Sequence, residues 1–157
     1  MRKASLPKST IKSFLQENNF YPFTLWNVFD ITHTTSAPTK VEKRQIKQYI
    51  AQKVGDRPGL YAYMDKNGHL LYVGKAKKLV SRIFSHYNEA YYTPKETDRS
   101  VAWPDFFSKH AGELKVHWIE LDGDREQRII EEMIECWPGT QFDRDYPRRH
   151  RNKKPKR

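Results

Sequence analysis

Five side chains within one short stretch have the types and spacing to act on an oxyanion and to move protons: Tyr61, Tyr72, Lys75, Arg82 and His86. A guanidinium stays charged and donates in a planar fork, so Arg82 suits clamping a phosphate, with Lys75 as an assisting point charge. The other three are proton carriers. A phenol, with a pKa of about 10, is a poor base at neutral pH unless a cation or metal lowers it, whereas an imidazole needs no such shift. On residue type alone Tyr61, Tyr72 and His86 all remain candidates for the base.

The elements that must position these groups follow from the local pattern. Leu60 to Met64 and His69 to Val73 are short aromatic and aliphatic runs separated by Asp65-Lys66-Asn67-Gly68, whose Asn-Gly pair suits a tight turn, so a β-hairpin is predicted. After Gly74 the period changes: Ala76, Leu79, Val80, Ile83, Phe84 and Tyr87 recur at helical spacing. On such a helix Lys75, Arg82 and His86 fall within a narrow arc beside the apolar face.

Gly59-Leu60-Tyr61, ten residues, Tyr72-Val73-Gly74, and Arg82 ten positions after the second tyrosine resemble the GIY-YIG nuclease family. The run Lys75-Ala76-Lys77-Lys78-Leu79 is similar to a segment of the incision subunit of bacterial nucleotide excision repair. The resemblance covers roughly residues 57 to 143. It implies a small α/β (α+β) domain with a three-stranded antiparallel sheet flanked by helices, and a Mg²⁺- or Mn²⁺-dependent endonuclease acting on DNA. It also implies one divalent cation held by a glutamate on the last helix. Glu131, three residues before Ile134, fits that pattern best, while Glu132 lies at a similar angular offset and stays a rival. For the base the family points to Tyr61, and some restriction-enzyme members place a histidine four residues after the arginine, as His86 stands here. An asparagine expected after the last helix is missing, and only Gln141 or Asp143 stands near its place. A catalytically silent nucleic-acid-binding module of the same fold and a nuclease of structured RNA are the alternative functions.

The rest of the chain supplies the setting. Its 157 residues, 37% hydrophobic, suffice for one modest core. No run approaches the ~20 apolar residues needed to span a membrane, so a soluble, cytoplasmic protein without a membrane partner is expected. The single cysteine, Cys136, rules out an internal disulfide, and no Cys/His cluster has zinc spacing. Charge is unevenly placed. Residues 144–157 carry +7 of the formal +10, which reads as a basic tail suited to a polyanion such as DNA, with RNA not excluded.

Three segments are therefore expected: an N-terminal extension over 1–57, the nuclease domain over 58–143 and the tail over 144–157. Within the extension, helices are predicted over 9–18 and over 40–53. The second is capped by Thr39 in a Thr-x-x-Glu box and has a basic outer face. The aromatic run from Phe20 to Phe29 is expected to cover part of the core or one sheet edge, with a base-stacking platform as the alternative. Residues 30–38 read as a polar loop. Beyond the central helix, a polar stretch (88–102) leads to a short helix from Trp103. A strand follows over 114–121, then a last helix with Asp124 as cap and Ile129, Ile130, Met133, Ile134 and Trp137 as its apolar stripe.

Overall fold

The computed structural model describes residues 9–92 and 102–146. In chain order its elements are α1 (Ser9–Glu17), β1 (Asn27–Thr32), α2 (Lys40–Val54), β2 (Gly59–Asp65), β3 (Leu70–Ala76), α3 (Leu79–Glu89), α4 (Ala102–Lys109), β4 (Glu113–Glu120), α5 (Asp124–Cys136) and α6 (Gln141–Asp145). The predicted basic tail, apart from its first three residues, and most of the polar stretch before α4 lie outside the described residues.

The sheet is antiparallel with strand order β1-β4-β2-β3, so it has four strands where three were expected. The extra strand comes from the segment read as aromatic cover and polar loop. Only Phe29 and Ile31 of β1 point inward, while Asp30 and Thr32 face water on an edge strand. Two inward apolar residues in six, with Val28 exposed beside them, leave too weak an alternation to separate from a loop.

The sheet buries both faces. On one, Tyr61, Tyr63, Tyr72, Val116 and Trp118 pack with residues of α2, α3 and α4, including Ile50, Ile83, Phe106 and Phe107. On the other, Leu60, Ala62 and Val73 pack with Leu15 of α1, Ile130 and Ile134 of α5, and the Phe23 and Trp26 rings. Phe23 and Trp26 are 2% and 5% exposed, so the aromatic run is core and offers no platform for stacked bases.

Local signals explain most boundaries. Thr39 caps α2: its hydroxyl accepts from the Glu42 amide, and the Glu42 carboxylate accepts from the Thr39 amide. In the hairpin turn, Gly68 takes φ 80°, and Asp65 Oδ1 accepts from the amides of Asn67 and His69 at 2.9 Å each. Two expectations fail at α5. Asp124 caps nothing, because Gly123 holds the cap position and the Asp124 carboxylate is bound to Lys75 and Arg128. Ile129 is 52% exposed rather than part of the buried face, which runs through Gln127, Ile130 and Ile134.

Candidate active site

The hairpin register brings the two motif tyrosines together. Tyr61 stands opposite Gly74, and Tyr63 opposite Tyr72, before the register shifts and leaves Leu71 without a partner. Residues directly opposite share a face, so Tyr61, Tyr63 and Tyr72 all point toward α3 and α4. Both motif glycines are dictated by close approach. A Cβ on Gly74 would collide with the Tyr61 phenol and the Tyr72 ring, and a Cβ on Gly59 would collide with the Ile119 carbonyl of β4.

From α3, His86 enters the space over these rings. It is 1% exposed, and its ring stacks on Phe107 (centroids 4.6 Å apart) and Trp103 (5.3 Å). Its Nε2 lies 2.6 Å from the Tyr61 hydroxyl, and its Nδ1 lies 3.4 Å from Glu89 Oε2. The Tyr61 and Tyr72 rings lie side by side, with centroids 5.9 Å apart. Tyr61 is fully buried and Tyr72 is 7% exposed, so Tyr72 is the more open end of the Tyr72–Tyr61–His86 series.

The electrostatics follow from that burial. Desolvation pushes the Tyr61 phenol well above its usual pKa, reinforced by Tyr72 and opposed by the Arg82 cation. Tyr72 is likewise pushed up, first by burial and then by the Glu131 carboxylate, with Arg82 again opposing. Burial lowers His86 below its usual value; Glu89 works against that shift and Arg82 adds to it. At neutral pH the site therefore holds two protonated phenols and a neutral imidazole. Neither phenol is a base on its own here, and the imidazole is the group with a free lone pair.

Arg82 is exposed, has no ion pair among the described residues, and acts electrostatically on both tyrosines and His86. With Lys75, Lys77, Lys78, Ser81 and Ser85 it lines an open groove of about 550 Å³. Lys75 belongs to β3, not to the helix, because the strand runs on through Ala76 and α3 begins at Leu79. Its ammonium is paired with Asp124 at the start of α5. His86 is likewise inside the apolar face rather than beside it.

Glu131 of α5 is half-buried and its charge is felt by both Tyr61 and Tyr72; Glu135, one turn on, is felt by Tyr72. Glu132 is exposed and lines a separate open groove with Glu135, Cys136 and Asp143. Among the described residues no three His, Cys, Asp or Glu are grouped to hold a metal ion. One carboxylate beside a basic groove fits a hydrated Mg²⁺, which retains most of its waters, and does not fit zinc. Of the two residues near the place of the missing asparagine, Gln141 is bonded within α6 to Asp145 and Arg144, and Asp143 is bonded to Thr140.

Residues 57–103 match the UvrC-like GIY-YIG domain. Over that stretch the chain is similar to a GIY-YIG nuclease domain. The UvrABC system protein C of Aliarcobacter butzleri is 32% identical over 83 residues, 53% of this chain and 13% of that protein. Its counterpart in Flavobacterium psychrophilum is 50% identical over 44 residues, 28% of this chain and 7% of that protein. The matched stretch is thus a small part of these curated relatives. The N-terminal GIY-YIG endonuclease domain of UvrC from Thermotoga maritima, solved bound to its catalytic divalent cation, magnesium, is 25% identical with a TM-score of 0.41, covering 62% of this chain and 94% of that domain.

Around the GIY-YIG signature the structure gathers groups that motif reading missed. Glu89 stands three residues after His86, one helical turn on, a spacing that could have marked it. Trp103 and Phe107 come from a separate helix, and no local signal ties them to His86. Tyr63 is buried with a hydroxyl that has no hydrogen-bond partner among the described residues, a burial that costs about 1–3 kcal/mol.

Proposed function

We propose that this GIY-YIG domain is a Mg²⁺- or Mn²⁺-dependent endonuclease that hydrolyses phosphodiester bonds in DNA. The observation that carries this reading is the Tyr61–His86 contact of 2.6 Å, set beside an exposed Arg82 that has no ion pair among the described residues and within reach of the Glu131 charge. Hydrolysis of a phosphodiester needs a proton acceptor for water and neutralisation of charge on the phosphoryl oxygens.

In this reading Arg82 clamps the scissile phosphate, and Lys75 adds a second cation once it is drawn from Asp124. The attacking water gives its proton to the tyrosine pair at the Tyr72 end. Tyr72 passes its own proton to Tyr61, and Tyr61 passes one to Nε2 of His86, which becomes the imidazolium. Both Tyr61 and His86 thereby take part in base catalysis. Glu131 would hold the divalent cation, which when bound neutralises charge on the phosphate and the leaving oxygen. The lysines and serines of the groove would guide the flanking strand.

Incubation with supercoiled plasmid, linear duplex and structured RNA, each with Mg²⁺, with Mn²⁺ and with chelator, tests the assignment. Metal-dependent nicking of DNA is expected. Cleavage of RNA alone would move the substrate to RNA, and tight binding of DNA without cleavage would make the domain a silent binding module.

A further inference from the structure

We infer that Glu89 is a positioning residue of the site: its carboxylate accepts the Nδ1–H of His86 and thereby leaves Nε2 as the lone-pair acceptor for the Tyr61 proton.

Three observations carry this. First, the imidazole cannot choose its orientation. Stacking on Phe107 and Trp103 fixes the ring plane, with Nε2 2.6 Å from the Tyr61 hydroxyl and Nδ1 3.4 Å from Glu89 Oε2. Second, an ionised carboxylate only accepts, so the nitrogen facing it carries the proton, and a neutral imidazole has just one to place. Nε2 must then accept, and the Tyr61 hydroxyl must donate to it. Third, helix stability does not account for Glu89. It is the last residue of α3, where the negative end of the helix dipole disfavours a carboxylate, and among the described residues His86 is the only ion-pair partner it has.

The chemical consequence rests on the nuclease reading. When the Tyr61 proton moves to Nε2, the imidazolium that forms keeps its Nδ1–H on Glu89, and the positive charge is created beside a negative one inside the core. The charged and titratable groups facing His86 are Glu89 and Arg82 of its own helix, Tyr61 and Tyr63 of β2 and Tyr72 of β3. Of these only Glu89 favours the imidazolium. Without it, Nε2–H becomes the competing tautomer, and that form offers Tyr61 a donor instead of an acceptor.

The tautomer can be read on the folded protein without metal or substrate. ¹⁵N NMR of the His86 ring at pH 7.5 should show Nδ1 protonated and Nε2 bare. Glu89→Ala should move the signals toward the Nε2–H form, whereas Glu89→Gln, which keeps an acceptor oxygen, should retain the Nδ1–H form. On a DNA substrate Glu89→Ala should lower kcat about 10- to 100-fold with KM within about two-fold, Glu89→Gln should fall between, and adding Glu89→Ala to His86→Ala should cost little more. An Nε2–H tautomer in the wild-type protein, or an unchanged tautomer in Glu89→Ala, overturns the inference. Full activity of His86→Ala would instead overturn the base assignment of the nuclease reading. If Glu89→Ala fails to fold, the wild-type spectrum and Glu89→Gln still decide.

Discussion

Tyr61 lies opposite Gly74 across the hairpin, with its phenol over the glycine at a distance that leaves no room for a Cβ. The glycine of the second tripeptide thus exists to seat the tyrosine of the first. Gly74→Ala should destabilise the domain by about 1–3 kcal/mol, the usual cost of overpacking, and push the Tyr61 hydroxyl off His86. Urea unfolding measures the first effect. Cleavage, where the fold survives, should fall in kcat; wild-type stability and activity would mean that Tyr61 has other room to move.

Much of this arrangement was legible in the sequence because it is local. The hairpin, the helix after it and the Thr39 cap are each specified by a few adjacent residues, and the tripeptide spacing marks Tyr61 and Tyr72 as a pair. What escaped depends on other elements. His86 looks like a helix-edge cation until Trp103 and Phe107 close over it, and Asp124 looks like a cap until Lys75 arrives from β3. The first strand escaped for a different reason: at a sheet edge, one apolar face and two inward residues suffice, and that is too little pattern to read.

Arg82→Ala should abolish detectable cleavage while leaving the melting temperature within a few degrees. The side chain is exposed and outside the buried face of α3, so no core contact is lost. Arg82→Lys should restore only part of the rate, since an ammonium cannot make the two-pronged contact of a guanidinium. Retained activity in the alanine variant, within a few-fold, would remove Arg82 from the chemistry.

The two adjacent glutamates of α5 should behave differently. Glu131 is half-buried with its charge on both motif tyrosines, whereas Glu132 is exposed and lines a separate groove with Asp143. Glu131→Gln should lose metal-dependent cleavage and weaken Mg²⁺ binding measured by titration calorimetry, and Glu132→Gln should do neither. The reverse pattern would shift the ligand by one residue.

Stability should fall as the solution is acidified from pH 7.5 to 5.5, a window above ordinary carboxylate titration. Burial lowers the pKa of His33, His86, His110 and His117, most completely for His86, which is 1% exposed. In the unfolded chain each titrates at about 6.5. Below that value the unfolded state binds protons that the folded state still refuses, so the stabilisation present above about pH 6.5 is lost as pH falls through the folded values. Each kcal/mol lost should lower the melting temperature by about 4 °C. Comparing melts of the wild-type protein and His86→Gln across the window isolates the buried ring: the variant should be less stable at pH 7.5 but should lose less on acidification. Parallel curves for the two proteins would mean that His86 takes up its proton as readily folded as unfolded, and burial would not be what keeps the Tyr61 acceptor neutral.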